Sequence, residues 1–470
     1  MSDDKITDLP LAAVAAALRN SNITARALAE NAIERHEQMG ARLNAYLTWT
    51  PELARSAAAA ADAAFAAGYD LGPMQGLPVS MKDLYGIAGL PTFAGSGMRL
   101  PPQWEQEGPV VTWLKSQLAV LPGKTQTVEF AAGGIGDNIH HGAPWNPWGG
   151  NSHRAPGGSS SGAGVSLWEG SALVAFGSDT MGSVRIPASM TGTVALKLTY
   201  GRWPNAGIVP LRAGQDTPGP LTRTVADAAY VFTAIDPAHR SDPAAALQSL
   251  ASRDIAGLRI GIAGDAYWVD CDASIAECVQ RGLKELEAAG AQQVDVPCSE
   301  TADLLRAVFS GELPNAELLA FLRVYLPDWI DQLDPALRGR LEASTSQDSA
   351  THLEKWQWIE SLIPAASSGF DNVDVIASPT LIHTPPILED NKPVGATASL
   401  SPMWTVQNTC PANFFRWCAL SMPVGLDQEG MPAGLQLMAP GGSEETLLAA
   451  ALACERILGS PRQRIGAPPL

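Results

Sequence analysis

One lysine and two serines, each next to glycines or other small residues, carry the most chemistry in this chain. Lys82 follows an apolar run in GLPVSMKD, Ser159 lies in GGSSSGAG, and Ser183 closes a turn in GSDTMGSVRIP. Two serines and a lysine can run a hydrolysis without histidine. Burial destabilises an ammonium and lowers its pKa, which makes the lysine a base. One serine can then relay a proton between that lysine and the other serine, which attacks. The glycines allow close approach and backbone conformations closed to other residues. The turn Thr180–Met181–Gly182–Ser183 can aim successive N–H groups at one point. Such donors stabilise an oxyanion, and losing one costs roughly 3–4 kcal/mol.

Taken in order, these pieces resemble the amidase signature family, whose pattern joins a Gly/Ser-rich loop to a T-D-x-G-G-S turn, with a K-D pair upstream. Here they read KD at Lys82–Asp83, GGSSSG at Gly157–Gly162 and SDTMGS at Ser178–Ser183. Ser159 and Ser183 are 24 residues apart (183 minus 159), the spacing the family uses. The resemblance continues through GKTQTVEFAAG from Gly123, NPWGGNSHRAPGG, ALKLTYGRWP around Leu196, DTPGPLTRTVADAA from Asp216, DVIASPT at Asp374 and MPAGLQLMAP at Met431.

The resemblance implies Ser183 as nucleophile, Ser159 as bridging serine after a cis peptide bond, and Lys82 as base. It assigns the oxyanion donors to the backbone of Thr180, Met181, Gly182 and Ser183. It implies an α/β fold, a mixed β-sheet core surrounded by α-helices, in a single domain over residues 1–470. Within it lie N-terminal helices at 1–68, the catalytic signature region at 70–235 and a variable helical insertion at 300–365 near the substrate entrance. Met181 departs from the pattern, where glycine is common. If that position needed a positive φ, methionine would be strained by about 1–3 kcal/mol.

The family's chemistry needs neither metal nor organic cofactor, and its substrate is a small-molecule amide or carbamate. The alternative it offers is the glutaminase component of a tRNA-dependent amidotransferase. Against that, NFFRWCALSMPVG (Asn413–Gly425) replaces the family's small residues with Phe414, Phe415, Arg416 and Trp417. With Trp145 these would line an apolar pocket suited to aryl amides or carbamates. Arg416, if it pointed inward, would pair a substrate carboxylate instead.

The elements that must position these residues are legible as patterns. Residues 8–38 and 51–67 read as helices, with Thr24 capping a helix that runs to about Met39 and Gly68 as a stop. Short apolar runs between turn signals, such as LPVSM and ALVAF, read as buried strands. LRIGIA at 258–263 and QQVDVP read as strands around a helix at 274–290, the alternation of an α/β protein.

Composition excludes several classes. The formal charge is −17 at pH 7, which disfavours nucleic acid and anionic lipid. No run of about 18 apolar residues reads as a membrane span. MSDDKITDLP is acidic and lacks the apolar core of a signal peptide. The six cysteines form no C-x-x-C pair and read as reduced thiols. A cytoplasmic monomer or homodimer is therefore expected. Three rival motifs fail. The G-S-S-S-G at Gly158–Gly162 lacks the strand a nucleophile elbow needs. The GKT at Gly123–Thr125 has Leu118 where a phosphate loop has its first glycine. His140, His141 and His153 lack ligand spacing.

Overall fold

A computed structural model describes residues 9–309, 316–346, 348–388 and 402–470. The acidic start at residues 1–8 and parts of the helical insertion (310–315 and 347) lie outside them.

Eleven strands form one mixed sheet. They are β1 (Tyr46–Trp49), β2 (Val79–Lys82), β3 (Gly123–Thr125), β4 (Val174–Asp179), β5 (Val194–Lys197), β6 (Thr217–Thr222), β7 (Arg259–Ala263), β8 (Gln292–Val296), β9 (Val375–Pro379), β10 (Cys418–Leu426) and β11 (Pro432–Ala439). Their order is β1-β3-β2-β4-β6-β5-β10-β11-β9-β7-β8. The central strands β4, β5, β6 and β11 are buried along their whole length. Burial on both faces is why apolar residues follow one another without alternation in Val174–Phe176 of β4 and Val194–Leu196 of β5. At the edge, β8 is largely exposed and alternates with polar residues.

β2 runs parallel to both β3 and β4, in register Met81 with Phe176. Parallel neighbours end on the same edge of a sheet, and ligands of open α/β sheets bind at those carboxyl ends. Lys82 is the last residue of β2 and Asp179 the last of β4. The turn after Asp179 leads into a short helix, Arg185–Thr191. The Gly/Ser loop leads into another, Ala163–Glu169. The sheet therefore delivers all three motifs to one edge.

The N-terminal stretch 8–38 forms two helices, Leu11–Arg19 and Ala25–Leu43, the second starting at the expected Thr24 cap. The break falls at Thr24, whose hydroxyl accepts from Ala27 N at 3.0 Å, so the cap starts a new helix there. That second helix ends at Leu43, beyond the expected Met39, with Asn44 in the left-handed region. Helices at Pro51–Ala66 and Ala273–Ala288 match their patterns closely. In the insertion, helices span Ser299–Phe309, Ala316–Tyr325, Pro335–Ala343 and Ser349–Ser368. All six cysteines are unpaired. Among the described residues no helix is long and apolar enough to cross a membrane.

Candidate active site

Lys82 is fully buried. Its Nζ donates to Ser159 Oγ at 2.7 Å and to Ser178 Oγ at 3.0 Å. Burial destabilises the ammonium and brings the pKa down from 10.5 to about 7, against the opposing pull of Asp216 and Asp179. Neighbouring Asp83 holds the strand end: its Oδ2 accepts from Phe93 N at 2.9 Å, and its Oδ1 lies 2.9 Å from the buried Lys124 ammonium.

The Gly158–Ser159 peptide bond is cis. Ser160 N donates to Ser183 O at 3.2 Å, which lays the Gly/Ser loop against the turn that carries Ser183. Gly177, two residues before Asp179, lies so close to this loop that an added Cβ would sit 2.5 Å from Ser160 Oγ. Ser183 is 6% exposed, and its hydroxyl makes no hydrogen bond among the described residues. Contacts thus join Lys82 to Ser159 directly and Ser159's loop to Ser183 through backbone.

The turn itself is braced from below. Asp179 accepts from Gly182 N (2.8 Å), Val184 N (3.3 Å), Arg185 Nε and Nη2 (both 3.0 Å) and Asn413 Nδ2 (2.8 Å). Burial alone would raise its pKa, but Arg185 and these donors outweigh it and hold the carboxyl at about 2. Arg185 also donates to Thr409 O, Gln436 Oε1 and Asn413 Oδ1 at 2.6–2.7 Å. This buried pair shapes the turn and touches no open space.

Of the four expected oxyanion donors, Gly182 N–H is already committed to Asp179. Those of Thr180, Met181 and Ser183 have no acceptor among the described residues. The positive φ falls on Gly182, at +130°, not on Met181. Methionine is therefore unstrained, and the glycine next to it carries the constraint. A Cβ on Gly182 would meet Thr409 Oγ1 at 2.2 Å.

The predicted aromatic pocket needs correction. Arg416 lies on the surface and pairs with Glu360 at 2.6 Å. Phe415 and Trp417 are 1% and 2% exposed and pack with Phe370 in the core. The cause is local: the chain turns at Arg416 (φ +60°) and enters central strand β10, buried along most of its length. Trp145 stacks on His153 at 4.6 Å and packs with Leu43, Tyr46 and Val165. None of these contacts reaches Lys82, Ser159 or Ser183. Phe414, Phe415 and Trp417 all belong to the apolar cluster against which Met181 packs, and Phe414 is tied to the turn by a shared neighbour: Arg212 lies 6.0 Å from its ring and 3.8 Å from Met181 Sδ.

The contacts of Ser178, Asp216 and the segment Val128–Ala131, each inside a fragment quoted above, escaped the sequence reading. Ser178 sits inside the SDTMGS motif, so its position was visible though its bond to Lys82 was not. Asp216 opens a quoted fragment. It accepts from Thr180 Oγ1 at 2.6 Å and from the backbone of Leu211 and Arg212 at 2.8 and 3.0 Å. Val128 N donates to Ser159 O at 3.1 Å, and Phe130 and Ala131 both have positive φ. No sequence signal marks those two residues. A cavity of about 210 Å³ reaches the back of the network, lined in part by Ser178, Thr180, Leu211 and Asp216.

A family model described as Amidase matches residues 27–448. The chain is 47% identical over 467 residues, 98% of it and 99% of the relative, to a 2-amino-5-chloromuconic acid deaminase of Comamonas testosteroni. It is 33% identical over 475 residues, 94% of it and 95% of the relative, to a component of the glutamyl-tRNA(Gln) amidotransferase of Synechococcus sp. (strain RCC307). A crystal structure of an amidase superposes with a TM-score of 0.83 at 27% identity, covering 96% of this chain and 100% of that one. On these likenesses, this chain belongs to the amidase signature family of hydrolases.

Proposed function

We propose that this amidase hydrolyses a C–N bond of a small substrate through a Ser183 acyl-enzyme, with Lys82 and Ser159 as its proton relay. The observation that carries this reading is a fully buried lysine, its pKa near 7, 2.7 Å from Ser159. A neutral amine keeps two N–H donors and one lone pair. Lys82 would give one donor to Ser178 and receive the Ser159 proton in its lone pair. Ser159 then accepts the Ser183 proton as Ser183 Oγ bonds to the substrate carbon. The N–H groups of Thr180, Met181 and Ser183 are the donors available to the oxyanion. The C–N bond breaks as Ser159 returns a proton to the departing nitrogen. Water repeats the relay and releases the acid.

The likeness to a deaminase at 47% identity supports a stand-alone small-molecule hydrolase over a partner-dependent glutaminase. That relative is named for an amino-substituted acid. Such acids therefore join anilides, alkyl amides, aryl carbamates and glutamine in the test. The chain purified alone should release ammonia or amine from at least one non-glutamine substrate, and Ser183→Ala should stop it. A variant keeping a tenth of the rate, or turnover of glutamine alone and only with a partner, would refute the proposal.

A further inference from the structure

Glu129 stands where two parts of the chain meet, and the proposed relay does not use it. It follows Val128, whose N–H donates to Ser159 O at 3.1 Å. Further on, Gly134 O accepts from Gly158 N at 2.8 Å and Ile135 O accepts from Gly157 N at 3.0 Å. Residues 128–135 therefore form a strap tied at both ends to the loop that carries Ser159. The fit along it is tight: a Cβ on Gly158 would sit 2.9 Å from Gly133 O and 3.0 Å from a Val128 methyl. Close-packed contacts of this kind transmit a displacement instead of absorbing it.

Between its ties the strap is strained. Phe130 has φ +47° and Ala131 φ +60°, left-handed angles that residues other than glycine rarely hold. Such angles persist only where the surroundings over-determine them, and they cluster at functional sites. The surroundings here are the helical insertion. Buried Glu129 accepts from Asp334 N through Oε2 at 2.8 Å, and its Oε1 lies 3.0 Å from His140 Nε2. Asp334 in turn caps the insertion helix Pro335–Ala343, accepting from Ala336 N at 2.7 Å. From that same helix Arg340 donates to Ala132 O at 2.7 Å. The buried Phe130 ring lies 6.4 Å from the rings of both Phe321 and Trp329. A glutamate is almost never this buried unless paired, and both oxygens of this one are used to hold two segments together.

We infer that Glu129 is a positioning residue: by tying the strap to the insertion, it holds Ser159 in place between Lys82 and Ser183. This rests on Ser183 being the hydrolytic centre. Glu129 touches no reacting atom and acts through Val128 and the strained residues that follow it. A carboxylate suits the task because its two oxygens accept in different directions, one toward the Asp334 N–H and one toward His140. The insertion, through Asp334 and Arg340, is then part of what holds the relay in register.

Two measurements on the full chain test it: the rate at which a fluorophosphonate labels Ser183, and kcat and KM for a substrate that the wild type turns over. Labelling reads the activation of Ser183 independently of the substrate. Glu129→Ala should slow labelling and lower kcat together, each about tenfold or more, and leave KM within about twofold, because a small misplacement of a relay group costs rate before it costs binding. Glu129→Gln should restore most of both, since the amide still offers an acceptor to the Asp334 N–H and a partner to His140. Glu129→Asp is one methylene short and should fall between. Arg340→Met cuts the strap's other tie to the insertion and should slow labelling about threefold; it decides the matter if Glu129→Ala does not fold. Labelling at the wild-type rate in the deciding variant overturns the inference, whatever its melting temperature. So does a loss carried by KM alone, or a Glu129→Gln variant as slow as Glu129→Ala. A wild type whose Ser183 is not labelled at all sinks the hydrolase reading, and the inference with it.

Discussion

Two polar clusters flank the Thr180–Ser183 turn, and they are built in opposite ways. Under the turn, the Asp179 carboxylate accepts five hydrogen bonds and Arg185 reaches three further acceptors. Beside the turn, around Arg212, three buried polar atoms lack partners among the described residues. A saturated network fixes geometry before any ligand arrives, which is what aiming N–H groups at an oxyanion requires. An unsaturated one is costly until something completes it. The contrast sets a fully paired network under the turn beside a looser cluster at its flank, where Gln215, His352 and Glu317 each keep one unpaired atom among the described residues.

The comparison can be broken first at its reactive atom. Ser183→Ala should lower kcat by roughly 10³-fold or more while leaving the melting temperature near wild type. A serine-directed fluorophosphonate should label the parent and not the variant.

Lys82→Met should be nearly as damaging, and the two losses should not add in the double variant. In the wild type kcat/KM should rise through about pH 7, as the buried ammonium gives up its proton and becomes a base. A flat profile between pH 6 and 8 on a stable protein would remove lysine from the relay.

Asp179→Ala attacks the saturated cluster itself. It leaves Arg185 buried without its counter-charge, and breaking such a pair costs about 3–5 kcal/mol. Chemical denaturation should show that loss. Unchanged stability would mean the network does not hold the turn.

Gly182→Ala is the subtler cut. It adds a Cβ where φ is +130° and Thr409 Oγ1 is 2.2 Å away, so strain of about 1–3 kcal/mol should appear together with a fall in kcat. Arg416→Ala is the control for the corrected pocket. Its exposed pair with Glu360 should change stability by less than about 1 kcal/mol and leave kcat/KM as it was.

The sequence made the proposed relay residues legible because their environment is local: an apolar run before Lys82, glycines around Ser159 and Ser183. Strand and helix patterns were legible for the same reason. What it hid depends on partners far along the chain. Phe414, Phe415 and Trp417 have the same apolar character and share one cluster with Met181, yet only Phe414 stands against Arg212 beside the turn, a difference the sequence does not mark. The neighbours of Arg212 gave no signal, because they come from Gln215 on its own loop and from Glu317 and His352 in the insertion. The expected strain at Met181 belongs instead to its neighbour, since the pattern of glycines does not say which residue takes the left-handed angle.

The long reach of Arg185 has a consequence in time. Its acceptors at Thr409, Asn413 and Gln436 lie 224, 228 and 251 residues downstream. During synthesis the N-terminal part of a chain emerges and begins to fold first, and contacts between distant segments form late. Every residue proposed to handle the proton lies before residue 184, yet the turn they share is completed by segments made near the end. A nascent chain therefore carries Lys82, Ser159 and Ser183 for more than 200 residues before the segments that brace the turn are made. On the proposed mechanism, a chain released before residue 436 would hold the proposed relay residues without the downstream partners that brace their turn.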